Sequence, residues 1–158
     1  MHVIRHTDPD AFLAAAAPMA ARGQASASFF TGWAHAMKRT PPAAGERVYL
    51  ATCSSGASCG AAIQRDEGPA IIGQSDVAAA IAFADDLARD CAGLQGVVGA
   101  LPATEAFARR WHQLTGRTHR LRVRLRQHAL DTVNEVPTAP GTPRTATEAD
   151  AEWLIEGQ

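Results

Sequence analysis

The chain holds one lysine, Lys38, against 14 arginines, and it carries 34 alanines. That bias reads as coding in a GC-rich bacterial genome and points to no function. Cysteines number three, too few and odd in number for a disulfide framework, so a reduced, cytoplasmic setting is expected. No run reaches the roughly 18 uncharged apolar residues that span a bilayer. Met1-His2-Val3-Ile4-Arg5-His6 has no apolar run behind its charges, so no secretory leader is expected. An excess of charge is also missing: 15 Lys+Arg against 16 Asp+Glu leave a net charge of −1. General nucleic-acid binding rests on excess positive charge, so that balance argues against it and leaves room only for a local basic patch. What is present, 158 residues with 46% hydrophobic and 20% charged, suits one soluble domain or one and a half.

The spacing predicts a first helix capped by Asp8 with Pro9 at its first position, Phe12, Leu13 and Ala16 sharing a face, and a break or kink at Pro18. Residues 24–39 read as a second helix with an apolar stripe of Phe29, Phe30, Trp33, Ala36 and Met37, ended by Thr40-Pro41-Pro42. The period then changes. Val48 to Cys53 and Cys59 to Gln64 read as a hairpin around a turn at 54–58, followed by a polar turn and the short apolar Ala70-Ile71-Ile72. Ser75 is expected to cap a third helix with Val77, Ala80, Ile81, Ala84, Leu87 and Cys91 inward and Gly93 at its end. Gly96 to Ala100 reads as a short strand. Pro102 opens a helix that turns Phe107, Trp111 and Leu114 inward and stops at Gly116. Thr118 to Leu130 reads as a strand, because Leu121, Val123 and Leu125 alternate with Arg120, Arg122, Arg124 and Arg126. A proline-rich linker follows. Thr147 and Asp150 then resemble a helix cap before Trp153, Leu154 and Ile155.

Seven of the 15 basic residues fall between Arg109 and Arg126, with no acid between Glu105 and Asp131. Guanidinium forks match phosphate and carboxylate oxygens, so this ladder is a candidate anion surface or domain interface. The competing reading is a solvated strand face whose arginines pair with Asp85, Asp86 and Asp90. Arg65-Asp66-Glu67-Gly68-Pro69-Ala70 fits the short Arg-x-x-Gly-x-Ala pattern that wraps a pyrophosphate. It leads into Ile71 and Ile72 rather than a helix, and Pro69 removes an amide donor, so it reads as an accident. The turn at Val98, Gly99 and Ala100 does stand between a strand and a helix, which makes it the candidate cofactor position. Leu101 and Pro102 occupy the place of a Gly-rich loop there. Cys53 and Cys59 flank the hairpin turn, but zinc needs four ligands and none stands beside them, so no metal is expected. No Gly-x-Ser-x-Gly elbow marks a nucleophile. His35, His112, His119 and His128 have no partner acid at a recognisable spacing.

Several segments, in this order, carry a resemblance: Asp10-Ala11-Phe12-Leu13, Ala27 to Met37, Val48-Tyr49-Leu50-Ala51-Thr52, Gly96 to Ala100 with Phe107-Ala108-Arg109-Arg110-Trp111 and Thr115-Gly116, the strand Leu121 to Leu130, and Arg144-Thr145-Ala146-Thr147-Glu148-Ala149-Asp150. Together they resemble the N-terminal half of two-domain bacterial GNAT-family N-acetyltransferases. The last segment is similar to the start of the second, catalytic domain. The resemblance implies an α/β (α+β) fold, a degenerate GNAT-like domain with a central mixed, largely antiparallel sheet flanked by helices. It implies that domain over residues 1–135, a linker over 136–143, and the start of a truncated second domain over 144–158. It also implies an intact enzyme that moves an acetyl group from acetyl-CoA to an amine. In that enzyme this half shapes the acceptor site and the other half holds the cofactor, and the resemblance carries no catalytic residue over to this chain. Partners would be a catalytic half or a second copy, with no membrane involved. The alternative is a non-enzymatic interaction domain that offers the Arg120–Arg126 face or the C-terminal helix to a partner.

Overall fold

The computed structural model describes residues 1–55, 58–66, 68–73, 75–91, 93–135, 137, 140–142 and 144–156, except for the side chains of residues 24–26 and 58. The centre of the hairpin turn, part of the Arg65–Ala70 loop, half of the proline-rich linker and the last two residues lie outside the described residues.

A five-stranded sheet runs in the order β1 (His2–Arg5), β2 (Val48–Ser55), β3 (Ser58–Arg65), β4 (Ala70–Ile72), β5 (Val97–Gly99). The first three pairings are antiparallel and β4 with β5 is parallel. A parallel pair needs a crossover, and helix α3 (Val77–Leu87) lies between the two strands in sequence. The fold is therefore α+β, with a mixed, largely antiparallel sheet. Strand β1 is an addition to the sequence reading: His2-Val3-Ile4-Arg5 is too short to show a period and becomes a strand only by pairing with β2.

Helices cover both faces because the strand residues alternate in direction. On one face α1 (Pro9–Ala20) and α2 (Gln24–Arg39) bury Phe12, Phe30 and Met37 against Leu50, Ile63 and Ile71. On the other, α3 and α4 (Leu101–Thr115) bury Phe83, Leu87, Phe107 and Trp111 against Tyr49, Cys53 and Ile72. Phe12 meets Phe30 edge-on and Phe107 stacks on Trp111. A Cβ on Gly73 would lie 2.4 Å from the Phe30 ring, so the chain after β4 can pass over α2 only as glycine.

The helices correct the sequence reading in detail. Helix α1 runs unbroken through Pro18, which sits exposed in its last turns, where the only bond forfeited is its own to the preceding turn. In α2 the buried stripe is Ala27, Phe30, Ala34 and Met37, and Phe29 and Trp33 are exposed. In α3 the cap is Asp76, whose carboxylate accepts from the Ala79 amide, while the Ser75 hydroxyl lies 3.2 Å from the Ala61 amide nitrogen on the neighbouring strand. That helix ends at Leu87, before Gly93, and its buried face turns toward Ala79 and Phe83 and away from Val77. Cys91 lies beyond it and is still buried. In α4 Leu114 is exposed, and Gly116 closes the helix in the left-handed conformation at φ 73°.

The largest correction concerns residues 118–130. They form no strand: none pairs with the sheet, and every residue is exposed. Alternation makes a segment able to be half-buried, but a strand also needs a partner strand, and among the described residues none pairs with it. Beyond the linker, a 3-10 turn (Glu148–Asp150) leads into the short helix α5 (Ala151–Glu156), which buries no residue.

Candidate functional site

Helix α4 follows β5 after one residue, so Val98, Gly99 and Ala100 do form a strand-to-helix turn. The turn is closed on its inner side. Ile72 pairs with Gly99, and a Cβ there would lie 2.4 Å from the Ile72 carbonyl oxygen. Glycine thus lets β5 press against β4, leaving no opening between them for a pyrophosphate. Ala100 gives no side-chain cap, Pro102 has no amide hydrogen, and the Thr104 amide is spent on the Ala100 carbonyl.

The arginine ladder differs from both sequence readings. Asp85 is taken by Arg110 at 2.6 Å, and Asp86 by Arg5 at 2.8 Å and Arg89 at 3.3 Å. Asp90 is bonded by Arg5. All three acids expected to neutralise the ladder therefore serve other arginines. Among the described residues, Arg120, Arg122, Arg124 and Arg126 have no acid partner, and Leu121, Val123 and Leu125 between them are exposed. Gln127 reaches Ser28 of α2 at 3.2 Å, which brings this segment near the exposed Phe29 and Trp33.

The sequence reading missed the polar cluster at the other sheet edge. Asp86, 9% exposed, accepts from the Tyr49 hydroxyl at 3.0 Å as well as from Arg5 and Arg89. The Arg5 guanidinium stands 5.3 Å from the centre of the Tyr49 ring. Burial, and then the Asp86 charge, push the Tyr49 hydroxyl well above its usual range. The bond to Asp86 holds Arg5 more firmly protonated still. Arg47 donates to the Asp66 carbonyl and reaches the Cys91 sulfur at 2.9 Å. An open groove of about 510 Å³ between α3 and α4 is lined by Asp85, Ala88, Arg89, Arg110 and Leu114. Within the groove Asp85 is paired with Arg110, while Arg89 reaches Asp86 outside it; the Asp86 cluster fastens β1 to α3. Arg5 could have been found in the sequence only by knowing that β1 pairs with β2.

Cys53 and Cys59 lie on opposite faces of the sheet, Cys53 in the α3/α4 core and Cys59 against the α1/α2 core, so they cannot share a metal or a disulfide. Burial raises the Cys53 thiol pKa. Among the described residues no three His, Cys, Asp or Glu converge on a point that could hold a metal ion. His112 bonds the Arg117 carbonyl at 2.9 Å, and His35, His119 and His128 are exposed. His6 reaches the Thr52 hydroxyl at 2.9 Å and meets Phe12 edge-on, and its burial lowers its pKa. In the Arg65–Ala70 loop, Arg65 is bonded to Glu46, whose carboxyl that guanidinium pulls down to about 2. The loop's one basic side chain is thereby already occupied.

Comparison with protein-family models, curated proteins and solved structures finds no match for this chain. Among the described residues no helix is long and apolar enough to cross a membrane.

Proposed function

We propose that this chain is the substrate-side, N-terminal domain of a GNAT-family N-acetyltransferase of the cytoplasm, in which a separate catalytic half holds acetyl-CoA. The observation that carries the reading is the β4–α3–β5–α4 unit. It is a parallel strand pair and following helix at the end of an otherwise antiparallel sheet, with its strand-to-helix turn closed by Gly99 against Ile72. The Arg144 to Asp150 segment adds support. Thr147 and Asp150 form a reciprocal cap, and Arg144 grips Asp150 through two bonds of 2.7 and 2.6 Å. In the proposed reaction the amine attacks the thioester carbonyl, CoA leaves as the thiol, and the amine gives up a proton. This domain's part is to wall the acceptor site. Acetyl-CoA titrated into the chain in a calorimeter is expected to give no binding heat, and micromolar binding would overturn the division of labour. A coding sequence that continues beyond codon 158 into a domain of another kind, without a strand, a Gly-rich turn and a helix, would overturn the acetyltransferase assignment itself.

A second reading, an interaction domain without catalysis, is favoured by one observation. Among the described residues the ladder arginines have no acid partner, while Asp85, Asp86 and Asp90 are paired with Arg110, Arg5 and Arg89. Replacing Arg120, Arg122, Arg124 and Arg126 by Ala is expected to abolish association in size-exclusion chromatography with light scattering. An unchanged assembly would sink this reading.

A further inference from the structure

We propose that the chain pairs with a second copy of itself, the arginine ladder of each copy holding the acidic C-terminal helix of the other. The proposal rests on the interaction-domain reading and names its partner.

The surface is larger than one compact molecule needs. The accessible area is 11036 Å², whereas a compact monomer of this mass exposes about 7,600 Å². The excess well exceeds the ~1,600 Å² that a standard interface removes from water. Two segments hold large apolar residues in solvent: Leu121, Val123 and Leu125 in the ladder, Trp153 and Ile155 in α5.

Charge decides what can cover the ladder. Two ladders cannot pair with each other. An antiparallel pair centred on Val123 sets Arg122 opposite Arg124 and Arg120 opposite Arg126, and like charges directly opposite repel. A slip of one residue sets leucines opposite arginines and mixes the two faces. The chain's own α3 acids are engaged, as shown above. The C-terminal segment has what is needed. Glu152 and Glu156 lie one turn apart on α5 and Glu148 on the 3-10 turn before it, and among the described residues none of the three side chains has a hydrogen bond or ion pair. Asp150, the remaining acid there, is held by Arg144 and Thr147.

The spacings agree. Four residues along a helix advance about 6 Å. Two residues along an extended chain advance about 6.7 Å. The Glu152 and Glu156 carboxylates can thus meet two successive ladder guanidinium groups, each a charge-assisted pair, with Glu148 on the turn before them adding a third negative charge. Trp153 and Ile155 flank the acidic stripe on either side, and the Trp153 ring can lie over a guanidinium plane while the arginine stems cover it. Within one chain the two segments stay apart: residues 117–130 are all exposed and α5 buries nothing. A two-fold arrangement makes the contact twice and closes the assembly.

The test is a charge exchange read by size-exclusion chromatography with light scattering. The wild-type chain is expected at twice the monomer mass in low salt. It should move toward monomer at ~1 M salt, where screening acts within about 3 Å. One variant carries Glu148→Lys, Glu152→Lys and Glu156→Lys; the other carries Arg120→Glu, Arg122→Glu and Arg124→Glu. Each alone is expected to be monomeric, with an unchanged circular dichroism spectrum. Mixed in equal amounts they are expected to form a heterodimer, because each ladder then meets a helix of opposite sign. A monomeric wild type, or a mixture that stays monomeric, overturns the proposal. Trypsin separates the two ways of failing. A wild-type monomer cut within the ladder leaves the interaction-domain reading standing with another partner. A monomer resistant there until the glutamates are exchanged shows the ladder held by its own chain, and that reading falls too.

Discussion

Asp86 receives Tyr49, Arg5 and Arg89 at once, from a strand, a second strand and the turn that follows its own helix. Removing its charge leaves Arg5 and Arg89 facing a neutral group at the boundary between core and solvent. Asp86→Asn is expected to lower stability by about 2 kcal/mol in urea unfolding, less than for a fully buried pair because Arg5 is half-exposed. His6 sets a pH dependence. Burial favours its neutral form, so its folded pKa lies below the unfolded value of about 6.5. The unfolded chain then takes the proton first. Stability from His6 is complete above that value and is lost as the pH falls through it toward the folded pKa. The urea midpoint is expected to drop between neutral pH and the carboxylate range, and His6→Gln is expected to flatten that drop. Glu46 works lower: its pKa of about 2 against a usual 4.5 places its loss of stability in that more acid window.

At the scale of elements, the sequence made the helices legible where caps and periods agree. Asp8 with Pro9 starts α1, Gly116 ends α4, and Thr147 with Asp150 opens the last turns. It was misleading where one local rule stood alone. Pro18 suggested a break, yet Phe12, Ala16 and Met19 bury one continuous face that spans it. Packing holds the helix together despite the missing bond. Pro18→Ala is therefore expected to raise stability, by up to ~3 kcal/mol in thermal unfolding. The faces of α2 and α3 were read too broadly. Where alanine is so common, several stripes look equally apolar, and only the sheet decides that Phe30 and Phe83 go inward while Phe29 and Val77 do not. The segment 118–130 shows the converse: its alternation is strict, but alternation carries no information about whether an edge is there to receive it.

For the whole molecule, the ladder is an extended, exposed, arginine-rich stretch next to a packed α+β body. In the monomeric variant carrying Glu148→Lys, Glu152→Lys and Glu156→Lys, trypsin at limiting amounts is expected to cut first between Arg117 and Arg126, well before the arginines of α1 to α4, as mass spectrometry of the fragments would reveal; prior cleavage within 1–116 would contradict the exposure described. Composition and pattern by themselves determined the mixed helix and strand content, the order of most elements, the free thiols and the concentration of arginine late in the chain, since these depend on residues near one another in sequence. Only the tertiary structure decided that His2–Arg5 is a strand, that Cys53 and Cys59 face apart, that Gly99 closes its turn, and that the acids of α3 belong to Arg5, Arg89 and Arg110 rather than to the ladder. Each of these depends on which distant groups meet. A carboxylate near in sequence is no counter-ion once another guanidinium, 81 residues away along the chain, has reached it first.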